Sequence, residues 1–180
     1  MKAVEPIRDI NKLKKIEKML ARKNKRDQLM FVFGTNSGLR ISDILALNVE
    51  DVRGKDVITL EEKKTGKQKI FPINQKLKRL INLFIKNKKD KEPLFATKFN
   101  NRLERCNAYL IIHKACRNAG ITGQIGTHTL RKTFGYHHYQ QFKDVVMLQK
   151  IFNHSTPVIT LRYIGLEQDK IIESYKNFVL

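Results

Sequence analysis

Four short stretches of this 180-residue chain collect side chains suited to chemistry on a negatively charged group. Ser37-Gly38-Leu39-Arg40-Ile41-Ser42-Asp43 places an arginine after turn residues, with an acid three positions on. Lys64-Thr65-Gly66 lies in a lysine-rich turn. His128-Thr129-Leu130-Arg131 puts a histidine and an arginine on one helical face. Asn153-His154 is followed by Arg162-Tyr163, so the tyrosine stands nine residues after His154. A phenol is a nucleophile that can form a covalent ester. A guanidinium grips two oxygens of an oxyanion at once, which an ammonium does poorly. Histidine and lysine can take or give the protons such a step needs.

The elements that must hold these groups read as mostly helical. Ile10, Leu13, Ile16, Met19 and Leu20 recur at helical spacing, and Ala21 to Asp27 reads as a charged turn. A second helix runs through Leu29 to Phe33 and stops at Thr35-Asn36-Ser37-Gly38, after which Ser42 is the expected cap of a short helix over 43–47. Asp56 to Leu60 and Gln68 to Ile73 are strand-like, joined by Lys64-Thr65-Gly66-Lys67, with Gly66 free to take positive φ. A third short strand is expected before Arg53-Gly54-Lys55. Asn74 caps a helix with Leu77, Leu80, Ile81, Phe84 and Ile85 on one stripe. Arg102 to Ala119 reads as a helix closed by Gly120. Thr127, Asp144 and Ser155-Thr156-Pro157 mark three further helix starts, and a last amphipathic helix covers Glu167 to Phe178.

Thirty-six Lys and Arg against 17 Asp and Glu give a formal net charge of +19. Such an excess repels itself on compaction and points to a polyanionic partner, nucleic acid before an anionic membrane. No apolar run reaches the ~18 residues needed to cross a bilayer, and MKAVEPIRDI has no signal-peptide core. Cys106 and Cys116 are too few for a disulfide framework and are expected as buried, reduced thiols of a cytoplasmic protein.

In order and content the four stretches resemble the tyrosine recombinases, also called phage integrases. That family carries an Arg in a G-L-R-[IP]-[SG]-E/D motif, a hairpin Lys, an H-x-L-R box, an L-G-H segment and a Tyr nine residues after that His. The resemblance runs from about Asn24 to the C-terminus. It implies an α+β, mainly helical catalytic domain with one small antiparallel sheet. It also implies a site-specific DNA recombinase acting through a 3′-phosphotyrosyl intermediate. Tyr163 is then the nucleophile, with Arg40 and Arg131 clamping the non-bridging phosphate oxygens. Lys64 is the general acid, and the Lys-Thr-Gly turn favours it over Lys63. His128 bonds the phosphate or accepts the phenolic proton, His154 donates to a non-bridging oxygen, and Asp43 orients an arginine or histidine. No metal, ATP or other cofactor is called for, since the arginines neutralise the charge. The partners implied are double-stranded DNA and, on it, three further copies in a homotetramer; a monomer is expected without DNA. Localisation would be cytoplasmic and nucleoid-associated, in a bacterial or phage setting.

Each residue also has an ordinary reading. Tyr163 competes with Tyr136, Tyr139 and Tyr175, and its distance from His154 decides between them. Two features depart from the family: Phe152-Asn153-His154 stands where L-G-H is usual, and only about 25 residues precede the matching region. The chain is therefore expected to be one catalytic domain over 1–180, without a separate N-terminal core-binding domain. The competing functions are a DNA-binding regulator that no longer cuts and, further off, a type IB topoisomerase.

Overall fold

Asp9 starts the first helix, its carboxylate accepting from the backbone N–H groups of Asn11 and Lys12. In the computed structural model, which describes residues 4–62, 66 and 68–179 (the side chains of Gln168 and Lys170 apart), α1 (Ile10–Lys23) buries Ile16 and Leu20. The charged stretch expected as a turn stays helical except at Asn24. That residue ends α1 and its side chain caps α2 (Lys25–Ser37) by accepting from the Arg26 N–H. Lys and Arg favour helix, so charge alone made no loop here. α2 is buried through Leu29, Met30, Phe31, Val32 and Phe33.

Gly38, at φ 63°, ends α2 in the left-handed region. Arg40, and not Ser42, is the N-cap of α3 (Ile41–Ala46), and its side chain makes no capping bond. β1 (Val57–Glu61) and β2 (Gln68–Pro72) pair antiparallel, Val57 opposite Pro72 and Glu61 opposite Gln68. Ile58 and Phe71 face each other across the pair and fill the core. The sheet has two strands among the described residues, and the expected third is replaced by turns. There Arg53 donates to the Ile85 and Lys88 carbonyls.

Asn74 caps α4 (Gln75–Ile85) through the Leu77 N–H. α5 (Arg105–Asn118) begins later than expected, because Arg102 bridges to Ala96 and its guanidinium donates to the Leu45 and Leu47 carbonyls. Cys116 is buried, and burial pushes its thiol up to about 12; Cys106 is exposed, contrary to expectation, on the outer side of the same helix. α6 (Thr129–Phe142) packs along α2.

A second, smaller core follows. Leu148 and Phe152 of α7 (Val145–Phe152), Ile164 after α8 (Pro157–Tyr163), and Leu166 of α9 (Leu166–Asn177) pack with Phe134, Tyr136 and Tyr139 of α6. Thr156, with Pro157 in the first turn, caps α8 in place of Ser155. The N-terminal segment ties the two cores together. The Ile7 N–H donates to Thr133 Oγ1, and Arg8 makes a two-pronged pair with Asp169 at 2.9 and 3.1 Å. Among the described residues no helix is long and apolar enough to cross a membrane.

Candidate active site between two cores

The site forms where α6 carries the main core into the smaller one. Arg131, 3% exposed, is fixed there by two carbonyls: it donates to Gly38 at 2.5 Å and to Phe152 at 2.9 Å. Its guanidinium also lies 4.5 Å from the centre of the Phe152 ring. Gly38 has to be glycine on two counts: its φ is positive, and a Cβ would meet the Phe134 ring at 2.6 Å. Arg40, two residues after Gly38, has its side chain 16% exposed, with Nη1 2.7 Å from the buried Glu62 carboxylate. Asp43 is buried beside it and accepts from Ser42 Oγ at 3.4 Å; its charge acts on Lys69.

His128 caps α6 in place of Thr127, and its ring makes no capping bond. The imidazole instead meets the phenol, Nδ1 lying 3.1 Å from Tyr163 Oη. Partial burial, then Arg131, Lys132 and Arg40, hold this imidazole below its usual pKa, so its neutral form can accept a proton. Tyr163 ends α8 and is wedged edge-on against Phe152 and His154, ring centres 5.4 and 5.0 Å away. Burial raises its phenol, while the Arg131 charge and a hydrogen bond from Arg131 pull it back down, with Arg40 adding to the effect.

Asn153 takes φ 56° and ψ 43° and closes α7, doing with a side chain what glycine usually does. The turn delivers His154, whose Nδ1 lies 3.1 Å from the buried Thr160 hydroxyl. Burial first, then Arg131, Arg40 and Lys69, push the His154 imidazole down to about 4. Lys64 and its rival Lys63 lie outside the described residues. Their hairpin is closed by Gly66, at φ 64° as expected, whose N–H donates to the Glu62 carbonyl at 2.9 Å.

The structure thus gathers Arg40, His128, Arg131, His154 and Tyr163 around one spot, with Asp43 behind Arg40. Four further participants were not singled out from sequence. Glu62 partners Arg40; Lys69 points inward beside Glu62; Phe152 is the platform for Arg131, His154 and Tyr163; and Thr160 holds His154. For Lys69 a signal existed: it lies two residues from core Phe71 in β2, hence on the same face. A cleft of about 540 Å³ opens beside it, lined by Ser37, Glu62, Phe71, Phe134 and Ile151 among others.

A helical domain with one antiparallel hairpin is the fold of a tyrosine recombinase catalytic domain, and in it two arginines and a tyrosine gather beside two histidines. The model of the phage integrase family matches residues 8–170, and the chain belongs to that family. A relative from Bacillus subtilis, described as a probable integrase/recombinase YoeC, is 46% identical over 99% of this chain and 98% of its own length. Tyrosine recombinase XerC of Thermodesulfovibrio yellowstonii is 28% identical; the match covers 83% of this chain and 53% of that protein, so the chain spans about half the length of such recombinases. Among solved structures, the XerA recombinase superposes with a TM-score of 0.75 at 18% identity, over 98% of this chain and 64% of that one. A lambda integrase tetramer bound to a Holliday junction superposes with 0.72 at 15%, over 91% and 49%.

Proposed function

We propose that this chain cuts and rejoins DNA strands through a 3′-phosphotyrosyl intermediate, as the catalytic part of a site-specific recombinase. The observation that carries the reading is the Tyr163 phenol, 3.1 Å from His128 Nδ1 and under the charge of Arg131. A phosphate seated against Arg40 and Arg131 meets that phenol as nucleophile. The phenolic oxygen bonds to phosphorus and its proton passes to neutral His128. The bond from phosphorus to the 5′-oxygen breaks, and Lys64 protonates the leaving oxygen. Arg40, Arg131 and the His154 imidazole face the charge that builds on the non-bridging oxygens. Arg40 leaves Glu62, or shares itself with it, as phosphate arrives. The ester keeps the energy of the broken bond, so a 5′-hydroxyl from another strand reverses the step without ATP.

The net charge of +19 supports duplex DNA as the partner. Strand exchange between two duplexes calls for four copies, and α9 is the element proposed to join them, with Ile171, Ile172, Tyr175, Phe178 and Val179 all exposed. Removal of 168–180 should then impair Holliday-junction resolution; unimpaired resolution excludes the role. Cleavage itself is tested with a substrate nicked near the scissile phosphate, which traps the covalent adduct. Wild type should give an adduct and Tyr163→Phe none, with equal salt-dependent binding by both. Binding without any adduct on a cognate site would mean a regulator that no longer cuts. Plasmid relaxation by a single protomer would mean a topoisomerase.

A further inference from the structure

A helix leaves its last carbonyls without partners, and α7 ends inside the active site. Two cations close it. Arg131 donates to the Phe152 carbonyl at 2.9 Å, and Lys69 donates to the Ile151 carbonyl at 2.8 Å. The next two residues are Asn153, which turns the chain, and His154. Lys69 reaches α7 from β2, with its side chain 13% exposed and Nζ 3.8 Å from Glu62 Oε1; the other oxygen of Glu62 pairs with Arg40. A lysine in this place is electrostatically expensive, for it sits between two arginines and away from water. Burial first, and then Arg131, push its amine down to about 8; Glu62 and Asp43 oppose this, and Arg40 adds to it. A solvated hairpin lysine carries none of these constraints.

We propose that Lys69 is a positioning residue of the active site, bonding the Ile151 carbonyl and pairing with Glu62 so that the hairpin base and the His154 turn stay in register with Arg40 and Arg131. The inference rests on the strand-cleavage reading above and gives Lys69 a task distinct from that of Lys64. Lys64 delivers a proton to the leaving oxygen, whereas Lys69 holds its neighbours and transfers none.

A substrate with sulfur in place of the bridging 5′-oxygen separates the two tasks, since a thiolate leaves without being protonated. Lys64→Ala should cleave the oxygen substrate slowly and the sulfur substrate normally. Lys69→Met should lose roughly 10- to 100-fold in single-turnover cleavage at saturating DNA on both substrates, the scale expected for misplaced reacting groups. Its DNA affinity should be unchanged, and Lys69→Arg should recover most of the rate. Restoration of Lys69→Met by sulfur would make Lys69 the acid and overturn the proposal, as would wild-type cleavage by Lys69→Met. Should Lys69→Met fail to fold, Lys69→Arg decides. A guanidinium stays charged where the wild-type amine, at about 8, loses its proton. Lys69→Arg should therefore keep its cleavage rate above pH 8 better than wild type, and an equal decline overturns the proposal. A readout without DNA stands apart from cleavage. The His154 imidazole, at about 4 in wild type, should titrate higher by NMR in Lys69→Met and stay near 4 in Lys69→Arg. If wild type gives no adduct, the cleavage reading fails, and this titration still decides the placement of Lys69; an unmoved His154 overturns it.

Discussion

Arg131→Lys keeps the charge and removes the fork. The Arg131 guanidinium bonds two carbonyls at once, those of Gly38 and Phe152, and lies on the Phe152 ring. A single ammonium cannot span both carbonyls, so one is left buried and unpaired, at about 1–3 kcal/mol. Weaker stacking on Phe152 adds on the order of 1 kcal/mol. The sum, about 2–4 kcal/mol, corresponds to a melting point lower by roughly 5–15 °C in a domain of this size. Cleavage suffers more. The missing donors face the charge that develops on phosphorus, and losing such a donor slows catalysis about 10²- to 10³-fold. DNA affinity should stay within about threefold, because the net charge and its phosphate contacts persist. Thermal melts, filter binding and single-turnover cleavage of a nicked substrate give the three numbers. A variant that melts with wild type and cleaves within a few-fold of it would refute both the anchoring and the clamping roles.

Two further predictions concern the turn after α7. Asn153→Ala forces alanine into φ 56° and should cost about 1–2 kcal/mol, whereas Asn153→Gly should match or exceed wild type in a urea melt. The His154 imidazole has its folded-state pKa depressed to about 4 from 6.5. Between those values the unfolded chain binds more protons, so the stability owed to this residue is complete above pH 6.5 and lost as pH falls toward 4. Melts of wild type and His154→Gln from pH 4 to 7 should therefore diverge most at the alkaline end of the contribution and converge toward pH 4. Parallel curves would place His154 in a more open setting.

Two helix starts that use a side-chain cap were legible. Asn74 and Asp144 each accept from an N–H group of the first turn, and short-range chemistry of that kind is written in neighbouring residues. Starts decided at long range were not. Arg102 leaves the expected helix to bond Leu45 and Leu47, residues more than 50 positions away. Arg40 displaces Ser42 as cap, and α3 starts two residues earlier than expected, at Ile41. Arg40, His128, Arg131, His154 and Tyr163 followed from the motifs that resemble the tyrosine recombinases. Their supports did not: Glu62 is an ordinary acid in sequence, and its pairing with Arg40 and Lys69 makes a buried carboxylate tolerable there. Lys69 was hidden among hairpin lysines, and strand alternation beside Phe71 is the clue that separates it. Thr160 gains its meaning only once α8 folds back against His154.

Cleavage by the proposed route leaves Tyr163 bonded to DNA. Trapping the adduct on a nicked cognate site, digesting it and sequencing the modified peptide by mass spectrometry tests this most directly. One nucleotide-bearing peptide is expected, modified at Tyr163 and linked to the 3′ side of the break, leaving a free 5′-hydroxyl. An adduct on Tyr136, Tyr139 or Tyr175, or a 5′-linked tyrosine, would contradict it.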